Sequence, residues 1–350
     1  MQHHAGLDVS LEETSVCIVD GAGKIIRETQ VASEPEALVG YFSSLEIEVV
    51  CIGLEAGPLS QWLHAALTEA GFEVVLLETR HVKAALSAMT VKTDRRDARG
   101  IAQLLRMGWY RPVHCKTLPS QEVRAIITAR KTLLGKLIDI ELSMRGILRG
   151  FGLKVGAVTR KSFEIRVREL IEGQSTLTAI MEGMLNTRGT LIAEVSKLHR
   201  AILRIARADG VCIRLMTAPG VGALTALTFK TAIDDPRRIA KSRDVGPLFG
   251  LTPGRYQSGE TDIIGRITKV GDVMVRTALF EAATVMLTRS SKKSRLKAWA
   301  LDVAKRRGTK RAIVALARKL GVVLHRMWVD LTEFRFAKEE AAVPALITAK

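Results

Sequence analysis

Cysteine is scarce in this chain: Cys17, Cys51, Cys115 and Cys212 are the only four. Their wide spacing forms neither a paired zinc-ligand pattern nor a disulfide framework, and a reducing cytoplasm is the expected compartment. Long apolar runs are missing too. No stretch approaches the ~18 residues that a membrane-spanning helix needs. The start, Met1-Gln2-His3-His4-Ala5-Gly6, lacks a charged region followed by an apolar one, so no signal peptide is expected. His3 and His4 read as part of a disordered terminus, not as a metal pair. Aromatic residues make up only 5%, which argues against extensive base stacking. Acids are outnumbered, 36 against 53 Lys and Arg, for a formal net charge of +17. That excess favours a polyanionic partner, most simply nucleic acid, bound through phosphates and sensitive to salt.

What is present is a globular chain of 350 residues with 47% hydrophobic content, enough for two or three domains. Ala5 to Ser10, Ser15 to Asp20 and Lys24 to Thr29 read as a three-stranded meander, with Gly21-Ala22-Gly23 as a turn. A helix over Glu34 to Leu45, a buried strand ending on Glu55, a helix from Pro58 to Ala70 and a strand over Glu73 to Leu77 follow. Helical sequence resumes near Arg80 and again from Thr93 to Met107. This order is α/β and defines a first domain over 1–108. Residues 109–210 read as a linker and a helical, coiled-coil-like arm, from apolar residues at roughly 3.5-residue spacing in Val123 to Leu148 and Ile180 to Ala206. A mainly α-helical domain over 211–335 and a tail over 336–350 complete the chain, an α/β + all-α arrangement.

The acids of the first domain fall where an open α/β sheet gathers ligands, at strand ends and the helix starts beside them. Asp8 lies in the first strand and Glu55 ends a later one. Asp94 and Asp97 sit three apart on one helix face behind a Thr93 cap, flanked by Arg95, Arg96 and Arg99. Singly, each acid is equally a turn or helix-start residue complementing the dipole. Together, four such acids can hold two divalent ions about 4 Å apart across a phosphodiester. Hard oxygen ligands make Mg²⁺ (or Mn²⁺) the natural choice.

The second half offers a different kind of signal. Pro219-Gly220-Val221-Gly222 is a helix-hairpin-helix-like turn in which Gly220 and Gly222 either cradle a phosphate or simply turn the chain. Ser258-Gly259 lies in a polar, Gly-rich stretch, with Arg255, Arg266 and Lys269 near in sequence. That stretch is either a plain loop or a serine nucleophile with cations to hold a phosphate. Residues 289–311 carry ten Lys or Arg, among them Lys292, Lys293, Arg295, Arg306, Arg307, Lys310 and Arg311, against the single acid Asp302. Nucleic-acid backbone contact is the expectation there.

Gly6-Leu7-Asp8-Val9, Leu54-Glu55-Ala56 and Lys92-Thr93-Asp94-Arg95-Arg96-Asp97-Ala98 resemble the N-terminal DEDD, RuvC-like (RNase H-like) domain of an insertion-sequence transposase family. Pro219 to Gly222, Phe249-Gly250-Leu251-Thr252-Pro253, Tyr256-Gln257-Ser258-Gly259 and Gly265-Arg266-Ile267-Thr268-Lys269-Val270-Gly271-Asp272 resemble that family's C-terminal transposase domain. The likeness spans residues 5 to about 335. It implies a metal tetrad of Asp8, Glu55, Asp94 and Asp97, with Ser258 as the group that joins covalently to DNA. It also implies a recombinase of the bridge-RNA-guided type, in which a structured RNA from the element pairs with donor and target DNA. The serine and the tetrad lie in separate domains, so a composite site is expected, and a homodimer or tetramer as well, since two duplexes must be cut and exchanged. A junction endonuclease in which water attacks, or a non-enzymatic basic DNA-binding protein, are the competing readings.

Overall fold

The computed structural model describes residues 2–336, so the expected tail lies almost wholly outside the described residues. Two compact units are present, Met1–Lys116 and Thr117–Lys350. No helix among the described residues is long and apolar enough to cross a membrane.

The first unit is built on one mixed sheet. Its strands are β1 (His3–Val9), β2 (Glu13–Asp20), β3 (Ile25–Ala32), β4 (Val49–Glu55), β5 (Val74–Leu77) and the short β6 (Pro112–Val113), in the order β3-β2-β1-β4-β5-β6. β1, β2 and β3 form the antiparallel meander expected from the sequence, and β4 and β5 continue the sheet in parallel with β1. The helices are α1 (Pro35–Ser43), α2 (Ser60–Glu69), α3 (Thr79–Leu86) and α4 (Asp94–Arg106). This is the RNase H-like order of strands and crossovers.

Side chains alternate across the sheet with period two. Ala5 and Leu7, Val16 and Ile18, and Ile52 and Leu54 point to one face, where they pack with Leu38 and Phe42 of α1 and Leu63 and Leu67 of α2. On the other face Cys17 and Val19 meet Ala98 and Ala102 of α4. Ile101, Leu104 and Leu105 complete that layer with Leu77 and Val82, each stabilising it by about 1.5–3 kcal/mol. α4 sits unusually close to the sheet because Gly6 offers no side chain: a Cβ there would lie 2.2 Å from the Ala98 carbonyl oxygen and 2.3 Å from the Ala102 nitrogen.

The terminus departs from the sequence expectation. His3 and His4 belong to β1, and His3 Nδ1 lies 3.0 Å from the Glu48 carbonyl oxygen. Pairing with β2 and β4 orders residues whose composition alone gives no reason for order.

In the second unit, α5 (Leu118–Gly150) and α7 (Ser175–Ala208) pair along their length, with α6 (Phe163–Leu170) near the far end. They run antiparallel. Met144 and Leu148 of α5 pack with Leu177 and Met181 of α7, whereas Ile127 shares a core with Ile202 and Ala206. That last core also takes in α8 (Gly210–Leu215), α9 (Ala223–Ile233), α10 (Val245–Leu248), α11 (Val273–Thr288), α12 (Arg295–Arg307) and α13 (Thr309–Val329). The arm and the C-terminal helices, expected as separate domains over 109–210 and 211–335, therefore fall in one unit. The base of the helical pair supplies part of a shared core.

One two-stranded sheet stands apart from the helices, formed by β7 (Pro253–Ser258) and β8 (Thr261–Ile267). The sequence alone suggests a polar loop here. The two residues between the strands, Gly259 and Glu260, make a tight hairpin turn, and Gly259 takes a φ of +54°. Thr261, Ile263 and Ile264 supply the β-branched side chains that favour a strand after it.

Candidate functional site

In β1 and β4, Leu7 is registered against Leu54, and both leucines point away from α4. Asp8 and Glu55 each follow by one residue, so both point to the α4 side. Because the strands are parallel, equal offsets set the two acids side by side at the carboxyl ends, on backbones about 4.8 Å apart. The α4 start approaches from above. Thr93 has an extended backbone, and its hydroxyl accepts from the Arg96 N–H at 3.3 Å, which fixes the first turn and places Asp94 and Asp97 in it. Asp8, Glu55 and Asp94 line one cleft with Ser10, Gly57 and Thr79. Asp97 does not line it; Lys92 Nζ lies 3.7 Å from Asp97 Oδ2.

Electrostatics tie the four acids together. The Asp8 carboxyl is pushed up to about 6, first by burial and then by the charges of Asp94, Asp97 and Glu55, with Lys92 opposing. Glu55 is also raised, mainly by burial, with the Asp97 charge adding to it and a hydrogen bond from Thr79 opposing. The negative charge gathered around the half-buried Asp8 and Glu55 is a field that a cation relieves. Among the described residues no three His, Cys, Asp or Glu side chains converge closely enough to ligate one ion. The fit to a divalent metal therefore rests on the all-oxygen donor set and this field, not on a closed ligand shell.

The flanking arginines divide. Glu28 of β3 accepts hydrogen bonds from both Arg95 and Arg99, which lie one turn apart on α4. Only Arg96 of the three lacks a carboxylate partner among the described residues; its Nη1 reaches the Val91 carbonyl at 3.5 Å. Sequence reasoning missed Glu28, Lys92 and Thr79. Glu28 is 71 positions from Arg99, and no local pattern announces such a pair. Lys92 stands next to the capping Thr93, and that adjacency is the available signal.

In the second unit, Ser258 is the last residue of β7 and faces Thr261 across the turn. It is exposed, and among the described residues no His or carboxylate holds its hydroxyl. Alternation puts Tyr256 and its cross-strand partner Ile263 on the same face as Ser258, both more than half exposed. Arg255 lies on the opposite face and is bound through both nitrogens to Asp262 at 2.7 Å, while Arg266 and Lys269 lie on and just beyond β8.

Gly220 has a positive φ of 83°, and a Cβ there would lie 2.2 Å from the Ala282 carbonyl oxygen. Helix packing against α11 is thus one reason for that glycine. Gly222 caps α9 without a side-chain hydrogen bond, and the turn shares a concave surface with Arg289, Ser290 and Lys292. Lys292 also lies over the Phe336 ring at 5.1 Å. Lys293, Arg306, Arg307, Lys310 and Arg311 are exposed on or beside α12 and α13, and Arg295 opens α12 behind the Ser294 cap.

Comparison with known proteins agrees with this layout. The transposase model DEDD_Tnp_IS110 matches residues 5–152, and the model for the Transposase IS116/IS110/IS902 family matches residues 212–298. The transposase for insertion sequence element IS1111A of Coxiella burnetii is 29% identical over 334 residues, covering 93% of this chain and 89% of that one. A putative transposase of Sinorhizobium fredii, y4pF/y4sB, is 27% identical, covering 83% of this chain and 76% of that one. Among solved structures, RuvC of Thermus thermophilus in complex with a Holliday junction substrate covers 32% of this chain at 15% identity, with a TM-score of 0.26. That likeness is too loose to add to the strand order.

An RNase H-like sheet with acids at its strand ends, joined to a helical unit that carries the second match, defines an insertion-sequence transposase. The chain belongs to the IS110/IS116 family of these enzymes.

Proposed function

We propose that the protein cuts and rejoins DNA strands during transposition of its element, with Ser258 as a covalent nucleophile. The observation that carries this reading is the acid cluster. Asp8, Glu55 and Asp94 meet in one cleft from two register-matched strands and a capped helix start, and their charges raise Asp8. Asp8, Glu55, Asp94 and Asp97 would hold Mg²⁺ or Mn²⁺, which supplies positive charge to the oxygens of the scissile phosphate when bound. Lys92 balances part of the acids' charge through Asp97. Ser258 Oγ attacks phosphorus and a serine–phosphate ester replaces one phosphodiester bond, while the displaced sugar oxygen departs as a hydroxyl, gaining on balance the proton the serine gives up. The freed hydroxyl of another strand then reverses that exchange, which conserves the bond energy. Tyr256 and Ile263, on the serine's face of the hairpin, keep that side apolar.

Donor and target DNA meet the basic surfaces in this reading: Arg96 beside the acids, Gly220 and Gly222 at the α9 start, Arg266 and Lys269 beside the serine hairpin, and the exposed cations of 289–311. Arg95, Arg99 and Arg255 reach phosphate only by exchanging their carboxylate partners. A guide RNA and an assembly of two or four copies belong to the same proposal. The first follows the family resemblance, and the second the need to hold two duplexes.

Incubation of the full chain with duplexes carrying the element's ends, followed by denaturing electrophoresis, tests the chemistry. The expected result is a covalent protein–DNA adduct that is absent with Ser258→Ala. Adduct formation retained in Ser258→Ala overturns the serine role. Cleavage without any adduct assigns a water-using endonuclease instead. Cleavage that survives both chelator and Asp8→Asn removes the metal from the proposal.

A further inference from the structure

The arginines of the long helical pair are spent unevenly. Toward its far end several are paired with acids: the buried Arg188 of α7 with Glu141 at 2.9 Å, and on the neighbouring α6 Arg166 with Glu169 and Arg168 with Glu164, each at 3.0 Å. Near the base of α7 they are not. Arg200, Arg204 and Arg207 are exposed, and none has a carboxylate partner among the described residues. No acid occurs between residues 195 and 208. The next one, Asp209, is already held by Lys230 and by the Cys212 N–H at 2.9 Å.

The three side chains form a line. At about 100° per residue they stay within about 60° of one azimuth, and at about 1.5 Å per residue they span about 10 Å along the helix. They edge a shallow groove with Leu203 and Ala208. The helix beneath is fixed, because Ile202 and Ala206 on its other side are fully buried in the main core of the unit. Like charges one turn apart disfavour a helix unless an anion lies across them. No aromatic side chain interrupts the row, so it offers no platform on which unpaired bases could stack.

We propose that Arg200, Arg204 and Arg207 form a rail for the phosphate backbone of a nucleic-acid duplex. The rail lies outside the surfaces assigned to DNA in the transposition reading and does not rest on the acid cluster or on Ser258. Arginine suits this task, since its planar fork grips phosphate oxygens and it stays charged at any working pH. A fixed row of three reads backbone geometry, positioning a duplex without selecting its sequence.

The test is a salt titration of binding by fluorescence anisotropy, with the full chain and duplexes of DNA and of RNA of equal length. The variant is Arg200→Gln, Arg204→Gln and Arg207→Gln combined, with the three Arg→Lys changes as the charge-retaining control. On the duplex the rail serves, the log–log slope should become shallower by about 2–3, near 0.9 for each duplex phosphate no longer neutralised. The Lys control should keep most of the slope. A change with one duplex only identifies the source of the phosphates. Unchanged slopes with both duplexes overturn the proposal, as does a loss confined to anionic phospholipid vesicles. Should the triple variant fail to fold, Arg204→Gln alone should shift the slope by about 0.9, and no shift overturns the proposal equally. Because the readout is binding, loss of cleavage in the adduct experiment leaves this outcome unaffected.

Discussion

Arg99 of α4 and Glu28 of β3 are joined by hydrogen bonds through two guanidinium nitrogens, and Arg95, one turn earlier, closes on the same carboxylate. This clamp pins the first turns of α4 to the outer strand of the meander. The helix start is also where Asp94 and Asp97 stand, so the clamp sets their position as much as it stabilises the sheet.

The clamp predicts an acid-dependent stability. Hydrogen bonding and charge from Arg99, with Arg95 adding to both, hold the Glu28 carboxyl down at about 2, against an ordinary 4.5. A depressed carboxylate stabilises the fold above its unfolded value, and that contribution is lost as pH falls from about 4.5 towards 2. Glu28→Gln should therefore cost about 1–2 kcal/mol at neutral pH, discounted for the exposure of the arginines. The gap in melting temperature between variant and parent should narrow steadily as the buffer is taken through that window. A constant gap would place the effect in packing and not in charge.

The opposite sign is expected at Asp8. Its carboxyl is half-buried among other acids and raised to about 6, so its charge at neutral pH opposes folding in the absence of a cation. Asp8→Asn should stabilise the metal-free protein by about 1 kcal/mol after solvent screening and raise its melting temperature accordingly. The same change should abolish DNA cleavage. Gain of stability with loss of activity is the pattern of a site built against the local preference of the fold. Calorimetry of both proteins after exhaustive chelation measures the first half, and a variant less stable than its parent would refute it.

Those two residues also show how much of the site could be read without coordinates. Asp8, Glu55, Asp94 and Asp97 announce themselves through position: strand ends and a capped helix start leave a local trace. The partner of Arg99 leaves none, because a cross-fold ion pair depends on which strand passes under the helix. The serine hairpin is half legible. Its glycine and serine stand out, but Arg255, Gln257 and Glu260 give it the polarity of a loop, and the cross-strand pairing of Tyr256 with Ile263 is needed to make it a strand. The joining of the arm and the C-terminal helices into one unit is not legible in the sequence. Ile202 and Ala206 follow the period of the arm, and only tertiary packing assigns them to the C-terminal core.

Gly6 should tolerate no substitution. A methyl group there would sit 2.2 Å from the Ala98 carbonyl oxygen, inside any permitted approach, and main chain cannot rotate out of the way as a side chain can. Gly6→Ala should cost about 3 kcal/mol or more, through displacement of α4. Denaturant titration gives the stability, and Gly21→Ala, with nothing nearer than 3.9 Å, is the matched control. Equal losses at both positions would show that the close approach is relieved cheaply.

The cations of 289–311 should bind phosphates independently of one another. Neutralising Arg306, Arg307, Lys310 and Arg311 to Gln should weaken DNA binding evenly across unrelated sequences and reduce the salt slope by about 0.9 for each phosphate left without its cation. A sequence-selective loss, measured by competition between duplexes, would move these residues from backbone binding to base reading.

On the serine reading, the exposure of Ser258 has a further meaning for a protein made in a cell full of DNA. An alcohol on an open hairpin, with no His or carboxylate among the described residues holding it, is chemically quiet, since it reacts only where something else strips its proton and presents a phosphate. Restraint of this kind needs no inhibitor and no switch. The free chain is harmless by default, and the hazard of strand exchange is confined to the moment when the full complement of nucleic acid has been gathered around it.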